Sequence, residues 1–232
     1  MLGFYDYTVI LTYLSIVSAS TGIIVSLSGH GHPYIGVFFL LFCGLCDAFD
    51  GRVARMKKGR SHAEESFGIQ IDSLSDLVAF GVLPACIGAA MMRTSPVMHS
   101  LALDCDRRAQ RWIIVGVYCA VLILYCLAAM IRLAYFNVTE EERRTTEGGA
   151  RKYYTGLPVT SASLIFPFIM LLQFVIPLDV TPAYFVTALI TGIAFISPFR
   201  IKKPGLGGIF IMIGIGAVEF ALVLIGKLLT KS

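Results

Sequence analysis

Long apolar stretches that alternate with short polar ones are the main pattern of this chain. About 20 apolar residues cross a bilayer as an α-helix, and seven stretches approach or exceed that length. They are Tyr7–Leu27, Tyr34–Ala54, Gly68–Met92, Trp112–Tyr135, Pro158–Ile176, Tyr184–Phe199 and Leu206–Leu228. The pattern predicts an all-α polytopic membrane protein with about seven transmembrane helices. The sixth is the least regular, because it is short and has proline near both ends.

The seven predicted helices leave no room for a separate soluble domain. They take up most of the 232 residues, of which 56% are hydrophobic, and the mean hydropathy is +0.78. Soluble domains contain roughly 45–50% apolar residues. We therefore expect one integral-membrane domain over residues 1–232. The first basic residue is Arg52, so the chain lacks the basic start of a signal peptide, and we expect the first helix to remain in the mature protein.

The basic residues predict the orientation of the helices. Twelve of the 19 Lys and Arg residues fall in stretches 52–67, 138–157 and 200–205, which the predicted helices place on one side of the membrane. Cytoplasmic loops are enriched in Lys and Arg, so we expect a multi-pass protein of the cell membrane with its functional site facing the cytoplasm. The net charge of +4 suits attraction to anionic lipid headgroups. No basic patch with interleaved aromatic residues is present, so we expect no nucleic-acid partner.

Four aspartates beside the apolar segments are the candidate functional residues. Asp47 and Asp50 lie near the end of the second predicted helix, and Asp72 and Asp76 lie near the start of the third. A carboxylate near the bilayer centre costs roughly 2.5–3.5 kcal/mol, and four close together repel one another. Spacings of three and four residues place each pair on one helix face. Two such helices joined by a cytoplasmic loop can direct four carboxylates at one volume, where they need a cation.

The residue types around the aspartates favour a metal site that accepts a phosphate-bearing ligand. Carboxylate oxygens suit Mg²⁺ or Mn²⁺, and four carboxylates can hold two cations about 3.5–4 Å apart, as in many phosphoryl transfers. Gly51, Ala54 and Gly68 leave space for a bulky ligand, and Arg55 can bind a phosphate through its fork of donors. The alternative in another class is a cation-coupled transporter that uses Asp72 and Asp76 as a proton or sodium path.

The aspartates belong to a longer motif that carries a family resemblance. Its residues stand in the order Asp47-x-x-Asp50-Gly51-x-x-Ala54-Arg55, then Gly68-x-x-x-Asp72-x-x-x-Asp76. This order resembles the signature of the CDP-alcohol phosphatidyltransferase family. The resemblance implies a six-helix core, here with an extra C-terminal helix, and two divalent cations, Mg²⁺ or Mn²⁺. It also implies transfer of a phosphatidyl group from a CDP-linked lipid to an alcohol, with release of CMP. The twelve residues Met56–Phe67 exceed the family's usual spacing, and we expect them to lengthen a cytoplasmic loop.

Three further segments are similar to bacterial and archaeal phosphatidylserine synthases within that family. They are Asp72–Pro84, Arg132–Asn137 and Tyr154–Pro158. The similarity implies that CDP-diacylglycerol and L-serine are the substrates, and that phosphatidylserine and CMP are the products. It further implies contact with membrane lipids, and we expect a homodimer. Another acceptor, glycerol 3-phosphate or inositol phosphate, stays open because the 138–157 stretch is basic enough to bind a second phosphate.

The resemblance also implies roles for individual residues. Asp47, Asp50 and Asp72 would hold one cation, and Asp47, Asp72 and Asp76 the other. Asp76 would accept the proton of the serine hydroxyl. The residues expected to bind CDP-diacylglycerol are Gly51, Ala54, Arg55, Gly68, Ser66, Thr12 and Ser15.

A serine pocket needs charged and polar groups for the carboxylate and ammonium of the substrate. Arg132 is a basic residue inside the apolar segment Trp112–Tyr135, and such a residue is a functional candidate. We expect it to bind the serine carboxylate, with Asn137, Lys152 and Tyr154 arriving from the same side. The alternative is that Arg132 extends to the membrane interface or neutralises the aspartates.

Overall fold

The computed structural model describes the chain in several ranges. These are residues 3–5, 7–28, 33–57, 59, 61–103, 108–146, 153–175, 178–202, 214–219, 221–222 and 224–225.

Eight α-helices make up most of the described chain. They are α1 (Ile10–Leu27), α2 (Pro33–Met56), α3 (His62–Asp76), α4 (Leu83–Thr94), α5 (Pro96–Leu103), α6 (Arg108–Thr146), α7 (Ala162–Val175) and α8 (Thr181–Ile196). A π-helical turn, Leu77–Val82, joins α3 to α4 without a break, and a 3₁₀ turn, Val159–Ser161, precedes α7. Strands β1 (Tyr153–Thr155) and β2 (Arg200–Lys202) form a short antiparallel pair.

The helices confirm the expected class of an all-α polytopic membrane protein. In the described ranges four helical spans are long and apolar enough to cross a membrane: Ile10–Leu27, Pro33–Val53, His62–Thr94 and Trp112–Arg143. Val159–Gln173 and Thr181–Ile196 are apolar but shorter. Most of the seventh predicted segment, Leu206–Leu228, lies outside the described residues, although residues 214–219 are helical.

The connection between α2 and α3 corrects the expectation of a lengthened loop. α2 runs to Met56 and α3 begins at His62, so His62–Phe67, half of the twelve residues Met56–Phe67, form the start of α3. Ser61 caps this start, because its hydroxyl accepts from the Glu64 N–H while the Glu64 carboxylate accepts from the Ser61 N–H. A reciprocal cap of this kind satisfies two backbone donors that a helix start otherwise leaves without partners. Lys57 adds an ion pair to Glu64 at 2.9 Å.

Helix α6 is also longer than the sequence predicts. Its 39 residues give a length of about 58 Å, roughly twice the hydrocarbon thickness of a bilayer. The apolar pattern ends near Tyr135, but the helix continues through the charged residues that follow. The Arg143–Glu140 ion pair, 2.7 Å long and one turn apart, supports this polar extension.

An aromatic cluster forms the centre of the helix bundle. Tyr125 of α6 packs edge-on against Phe166 of α7, with ring centroids 5.4 Å apart, and Phe166 lies 4.8 Å from Tyr184 of α8. All three side chains are fully buried. Elsewhere small residues bring helices together, as membrane helices commonly do. A Cβ on Gly22 of α1, for example, would lie 2.8 Å from the Cβ of Phe39.

The loop after β1 is fastened to the end of α8. Gly156 has a left-handed φ of +76°, and its N–H donates to the carbonyl of Phe199 at 2.6 Å. Leu157 N–H donates to the carbonyl of Ala194 at 3.1 Å, which satisfies one of the carbonyls left open at the helix end. Two of the three basic stretches, 138–157 and 200–205, thus meet at one end of the bundle through β1 and β2.

Candidate functional site

The four aspartates come together between α2 and α3. The carboxyl groups of Asp50 and Asp72 lie within hydrogen-bonding distance. The Asp76 carboxylate interacts electrostatically with those of Asp47, Asp50 and Asp72. Asp50 and Asp76 are 8% and 9% exposed. One pair of carboxyl groups, Asp50 and Asp72, is thus in direct contact at the junction of the two helices, and charge interactions link this pair to Asp47 and Asp76.

Helix α1 covers one side of this cluster. The hydroxyl of Ser75, next to Asp76, donates to the carbonyl of Thr12 at 3.3 Å. The thiol of Cys43, one turn before Asp47, donates to the carbonyl of Ser15 at 3.4 Å. Both contacts are buried, so α1 screens the carboxylates from the bilayer on that side.

The carboxylate oxygens of the four aspartates are suitable ligands for divalent cations, although the side chains do not converge on one cation-binding position. Among the described residues, no three His, Cys, Asp or Glu side chains are arranged as a ready metal-binding group. The carboxylates nevertheless face one another across two helices and offer only hard anionic oxygens, which are the ligands that Mg²⁺ and Mn²⁺ prefer. Carboxylates in a low-dielectric site repel strongly unless a cation or protons compensate their charge. A bound cation would need to draw the four side chains inward.

Of the residues expected to bind the CDP-linked lipid, four lie near the aspartates in the structure. Gly51 and Gly68 are half-buried on the two aspartate helices, and the N–H of Gly51 contacts the Asp50 carboxylate. Thr12 and Ser15 are buried on α1 beside the cluster.

For three other residues expected at that lipid site, the structure describes no side-chain contact with the aspartates. Ser66 is exposed, and its position on α3 lies about 200° around the helix axis from Gly68. The backbones of Ala54 and Arg55 belong to α2, but their side chains lie outside the described part.

Two of the residues expected to bind serine, Asn137 and Arg132, lie on α6 but contact different parts of the protein. The side-chain amide of Asn137 donates to the hydroxyl of Ser73 at 2.8 Å, so Asn137 lies at the turn of α3 that carries Asp72. Arg132 is 4% exposed, and its Nε donates to the carbonyl of Leu157 at 3.1 Å. Its guanidinium also lies 5.8 Å from the ring centroid of Phe136. Five residues apart on one helix, Asn137 and Arg132 face directions about 140° apart, so they do not form one pocket by themselves.

The register between α3 and α6 determines which residues of α3 lie opposite Arg132. Asn137 contacts Ser73, and Ala129 lies close to Gly81, where a Cβ would come within 3.3 Å of the alanine methyl. Antiparallel helices fixed at these two points bring Arg132 opposite Val78, within about 3 Å of the level of Asp76 along the helix axis. Lys152 lies outside the described residues. The backbone of Tyr154 pairs with that of Ile201 in the β-ladder, and its side chain is outside the described part.

Sequence reasoning missed two features of the site. Ser73, the partner of Asn137, stands inside the second aspartate motif but received no role. The π-helical turn directly after Asp76 was not expected either. Pro84 is the available signal for that turn, because proline within a helix removes a backbone donor.

An apolar helix bundle with a cluster of acidic residues where two helices meet defines a membrane-embedded acidic site. The model of the CDP-alcohol phosphatidyltransferase family matches residues 8–197 of the chain. The chain belongs to this family, and the resemblance found in its aspartate motif is confirmed.

Several curated proteins are similar to this chain over part of their length. The chain is 33% identical over 145 residues to a CDP-diacylglycerol–serine O-phosphatidyltransferase of Saccharomyces cerevisiae, a match covering 60% of this chain and 43% of that protein. It is 30% identical over 155 residues to the protein of that name in Mycobacterium leprae, covering 66% of this chain and 43% of the relative. It is 34% identical over 152 residues to an archaetidylserine synthase of Methanothermobacter thermautotrophicus, covering 65% and 53%. The matches thus span about half of the relatives' length.

Proposed function

We propose that this chain transfers a phosphatidyl group from CDP-diacylglycerol to L-serine, forming phosphatidylserine and releasing CMP. The observation that carries this proposal is the convergence of Asp47, Asp50, Asp72 and Asp76 inside the region that matches the family. The names of the three relatives described above all contain serine as the acceptor or as part of the product. This agreement supports serine over glycerol 3-phosphate or inositol phosphate.

Two divalent cations, Mg²⁺ or Mn²⁺, belong to the proposal. Asp47, Asp50 and Asp72 would hold one, and Asp47, Asp72 and Asp76 the other. When bound, the cations neutralise the diphosphate and stabilise the charge that develops on CMP as it leaves. The aspartate side chains supply the matching negative charge from the ends of two packed helices.

Asp76 is proposed as the base. It takes the proton of the serine hydroxyl, and the serine oxygen forms a bond to the phosphorus that carries diacylglycerol. The bond between that phosphorus and the oxygen of CMP breaks, so CMP leaves with the electron pair. Asp76 suits this role because it lies deepest along α3 and interacts with the other three carboxylates. A general base must lie within hydrogen-bonding reach of the proton that it removes.

The proposed site for the CDP-linked lipid lies at the cytoplasmic ends of α1, α2 and α3. It includes Gly51 and Gly68, where the absence of large side chains leaves room beside the carboxylates, together with Thr12 and Ser15. Ala54 and Arg55 follow in the same motif, with Arg55 as a phosphate partner. We leave Ser66 out of the proposed site because its side chain is exposed on another face of α3.

The proposed serine site lies between α3 and α6. Asn137 contacts Ser73, which follows Asp72 in the chain, and Arg132 lies within about 3 Å of the level of Asp76 along the helix axis. Arg132 would bind the serine carboxylate while its Nε holds the Leu157 carbonyl, which makes it both a ligand and an anchor for the loop. Lys152 and Tyr154, which come shortly before Leu157 in the chain, complete the proposed serine site.

The lipid part of the donor has a second candidate. Because one relative is named an archaetidylserine synthase, we propose a CDP-linked lipid of archaeal type as the second candidate donor. The headgroup chemistry is the same in both cases, and only the tails differ. The two donors are therefore arms of one experiment.

We further propose that the protein lies in the cell membrane with its aspartate cluster facing the cytoplasm, as a homodimer. The basic stretches that meet at β1 and β2 support this orientation. The outer face of α6 is apolar and exposed at Ile123, Leu127 and Ile131, among other positions. It offers a surface for membrane lipids or for a second copy of the chain.

The test is CMP release by the purified full chain in lipid nanodiscs with Mg²⁺. CDP-diacylglycerol and CDP-archaeol serve in turn as donors, and serine, glycerol 3-phosphate and inositol phosphate as acceptors. We expect CMP release that depends on serine, with one donor preferred. Release with a phosphorylated acceptor and none with serine would refute the serine assignment. A vesicle preparation that moved a solute with sodium or protons and released no CMP would support a transporter instead.

A further inference from the structure

The π-helical turn Leu77–Val82 stands between the aspartate helix α3 and the core helix α4. It lies inside the continuous span His62–Thr94, and Asp76 is the last residue before it. Turns of this type are rare, and they occur often at functional sites. The turn therefore joins the candidate base to a buried part of the bundle, where Leu83 and Ile87 are fully buried.

Pro84 provides a physical reason for the turn. Proline has no N–H, and its ring crowds the carbonyl four residues earlier, which here belongs to Phe80. That carbonyl is buried, so it needs a donor from elsewhere. Tyr125 of α6 supplies it, because its hydroxyl donates to the Phe80 carbonyl at 2.5 Å. The thiol of Cys126 donates to the next carbonyl, that of Gly81, at 3.4 Å.

The turn determines which way the aspartates face. A π-helical turn contains one residue more than an α-helical turn, and each residue of an α-helix rotates the chain by about 100°. If the segment relaxed to an α-helix while α4 stayed packed in the core, α3 would rotate by that amount. Asp72 and Asp76 would then turn away from Asp47 and Asp50.

We propose that Tyr125 is a positioning residue for the aspartate cluster. By donating to the Phe80 carbonyl, its hydroxyl stabilises the π-helical turn that directs Asp76 and Asp72 toward α2. Tyr125 touches none of the four carboxylates, and it acts through the backbone of the turn. The proposal rests on the proposed function in one respect, which is that the cluster binds divalent cations for phosphatidyl transfer.

Tyr184 provides a matched control. Its hydroxyl donates to the carbonyl of Pro84 at 2.6 Å, and both tyrosines are buried and pack against Phe166. Tyr125→Phe and Tyr184→Phe therefore remove the same group from similar surroundings. Only Tyr125→Phe removes the donor to a carbonyl inside the turn.

The experiment measures Mn²⁺ binding by electron paramagnetic resonance in nanodiscs, without substrate, and separately the Mg²⁺ dependence of CMP release. For Tyr125→Phe we expect Mn²⁺ affinity to fall about tenfold, the size expected when a buried carbonyl loses its donor. The maximal rate should fall while the Michaelis constant for the CDP-linked lipid changes little. For Tyr184→Phe we expect Mn²⁺ affinity within about twofold of the wild type. The two variants should lose thermal stability to a similar extent, because each leaves one buried carbonyl without its donor.

The outcomes separate this inference from the proposed function. If Tyr125→Phe leaves Mn²⁺ affinity unchanged, or if both variants lower it equally, Tyr125 is not a positioning residue. If the wild type binds Mn²⁺ but releases no CMP with any acceptor, the proposed function fails while the binding comparison still decides the role of Tyr125. A wild type that binds no Mn²⁺ overturns both.

A second variant covers the case in which Tyr125→Phe does not fold. Pro84→Ala gives the helix back the missing N–H, so the Phe80 carbonyl gains an intrahelical donor and the π-helical turn loses its cause. We expect Pro84→Ala to lower Mn²⁺ affinity by a similar factor even though Tyr125 is intact. Unchanged Mn²⁺ affinity in folded Pro84→Ala would overturn the inference.

Discussion

The side-chain amide of Asn137 on α6 donates a 2.8 Å hydrogen bond to the hydroxyl of Ser73 on α3. Ser73 directly follows Asp72, so this contact links the longest helix of the protein to the aspartate cluster. Because the link joins side chains, it can be cut from either end without disturbing the backbone of either helix.

Removing either end of this link should lower turnover. We expect Asn137→Ala and Ser73→Ala each to reduce the rate of CMP release several-fold, because Asp72 loses part of its support. A double-mutant cycle should give a coupling energy of about 1 kcal/mol, typical of one neutral hydrogen bond. The proposed contact of Asn137 with serine adds a separate effect, because Asn137→Ala should raise the Michaelis constant for serine in both the wild-type and the Ser73→Ala backgrounds.

Arg132 provides a test of acceptor binding. Arg132→Lys keeps the charge but loses the fork of donors that can hold a carboxylate by two hydrogen bonds. We expect the Michaelis constant for serine to rise while that for the CDP-linked lipid stays near the wild-type value. Serinol lacks the carboxylate and should distinguish the two proteins poorly.

A purely structural role for Arg132 predicts a different result. Its Nε hydrogen bond to the Leu157 carbonyl holds the loop after β1. If that is its whole function, Arg132→Lys will lower the melting temperature and affect both substrates alike. An unchanged Michaelis constant for serine would rule out Arg132 as the carboxylate ligand.

Gly156 should tolerate no side chain. Its φ of +76° disfavours other residues, and an added Cβ would lie 2.9 Å from the carbonyl oxygens of Phe195 and Ser197. Gly59 is the matched control, since its φ is +75° but nothing lies within 4 Å of an added Cβ. We expect Gly59→Ala to cost about 1 kcal/mol of stability and Gly156→Ala clearly more. Thermal unfolding in nanodiscs measures both, and equal losses would show that the carbonyls can move aside.

The cap at the start of α3 should contribute to stability. Ser61→Ala removes the acceptor for the Glu64 N–H, and we expect a loss of about 1 kcal/mol. Glu65→Ala, an exposed change in the same helical turn, serves as the control and should cost less. Equal effects of the two changes on thermal unfolding would mean that the cap adds nothing beyond helix propensity.

The aspartate pairs could be predicted from the sequence because the spacing of residues along a helix determines the direction in which their side chains point. Asp47 and Asp50 are three residues apart, and Asp72 and Asp76 are four apart, so each pair shares a face before any tertiary contact is considered. The apolar segments beside them require packed helices. These two facts predict that the two pairs face each other, and in the structure Asp50 and Asp72 lie within hydrogen-bonding distance across the two helices.

Other features depend on contacts that the local sequence does not record. The charged residues after Tyr135 end the apolar pattern, yet α6 continues because i,i+3 ion pairs such as Arg143–Glu140 suit a solvated helix. The polar residues after Ser61 resemble a loop in composition but form a capped helix start. The π-helical turn has a local signal in Pro84, but the donor to its Phe80 carbonyl is Tyr125, 45 positions away along the chain, and no local pattern joins those two residues.

The central claim is that the aspartate cluster catalyses metal-dependent transfer of a phosphatidyl group to serine. Its most direct test is the incorporation of radiolabelled serine into lipid by the purified protein with CDP-diacylglycerol and Mg²⁺, with CMP measured in the same sample. We predict equal amounts of labelled lipid and CMP, loss of both in excess EDTA, recovery with Mg²⁺ or Mn²⁺, and loss of both in Asp76→Asn. Labelled lipid that forms undiminished in excess EDTA, or at the wild-type rate in Asp76→Asn, would contradict the claim.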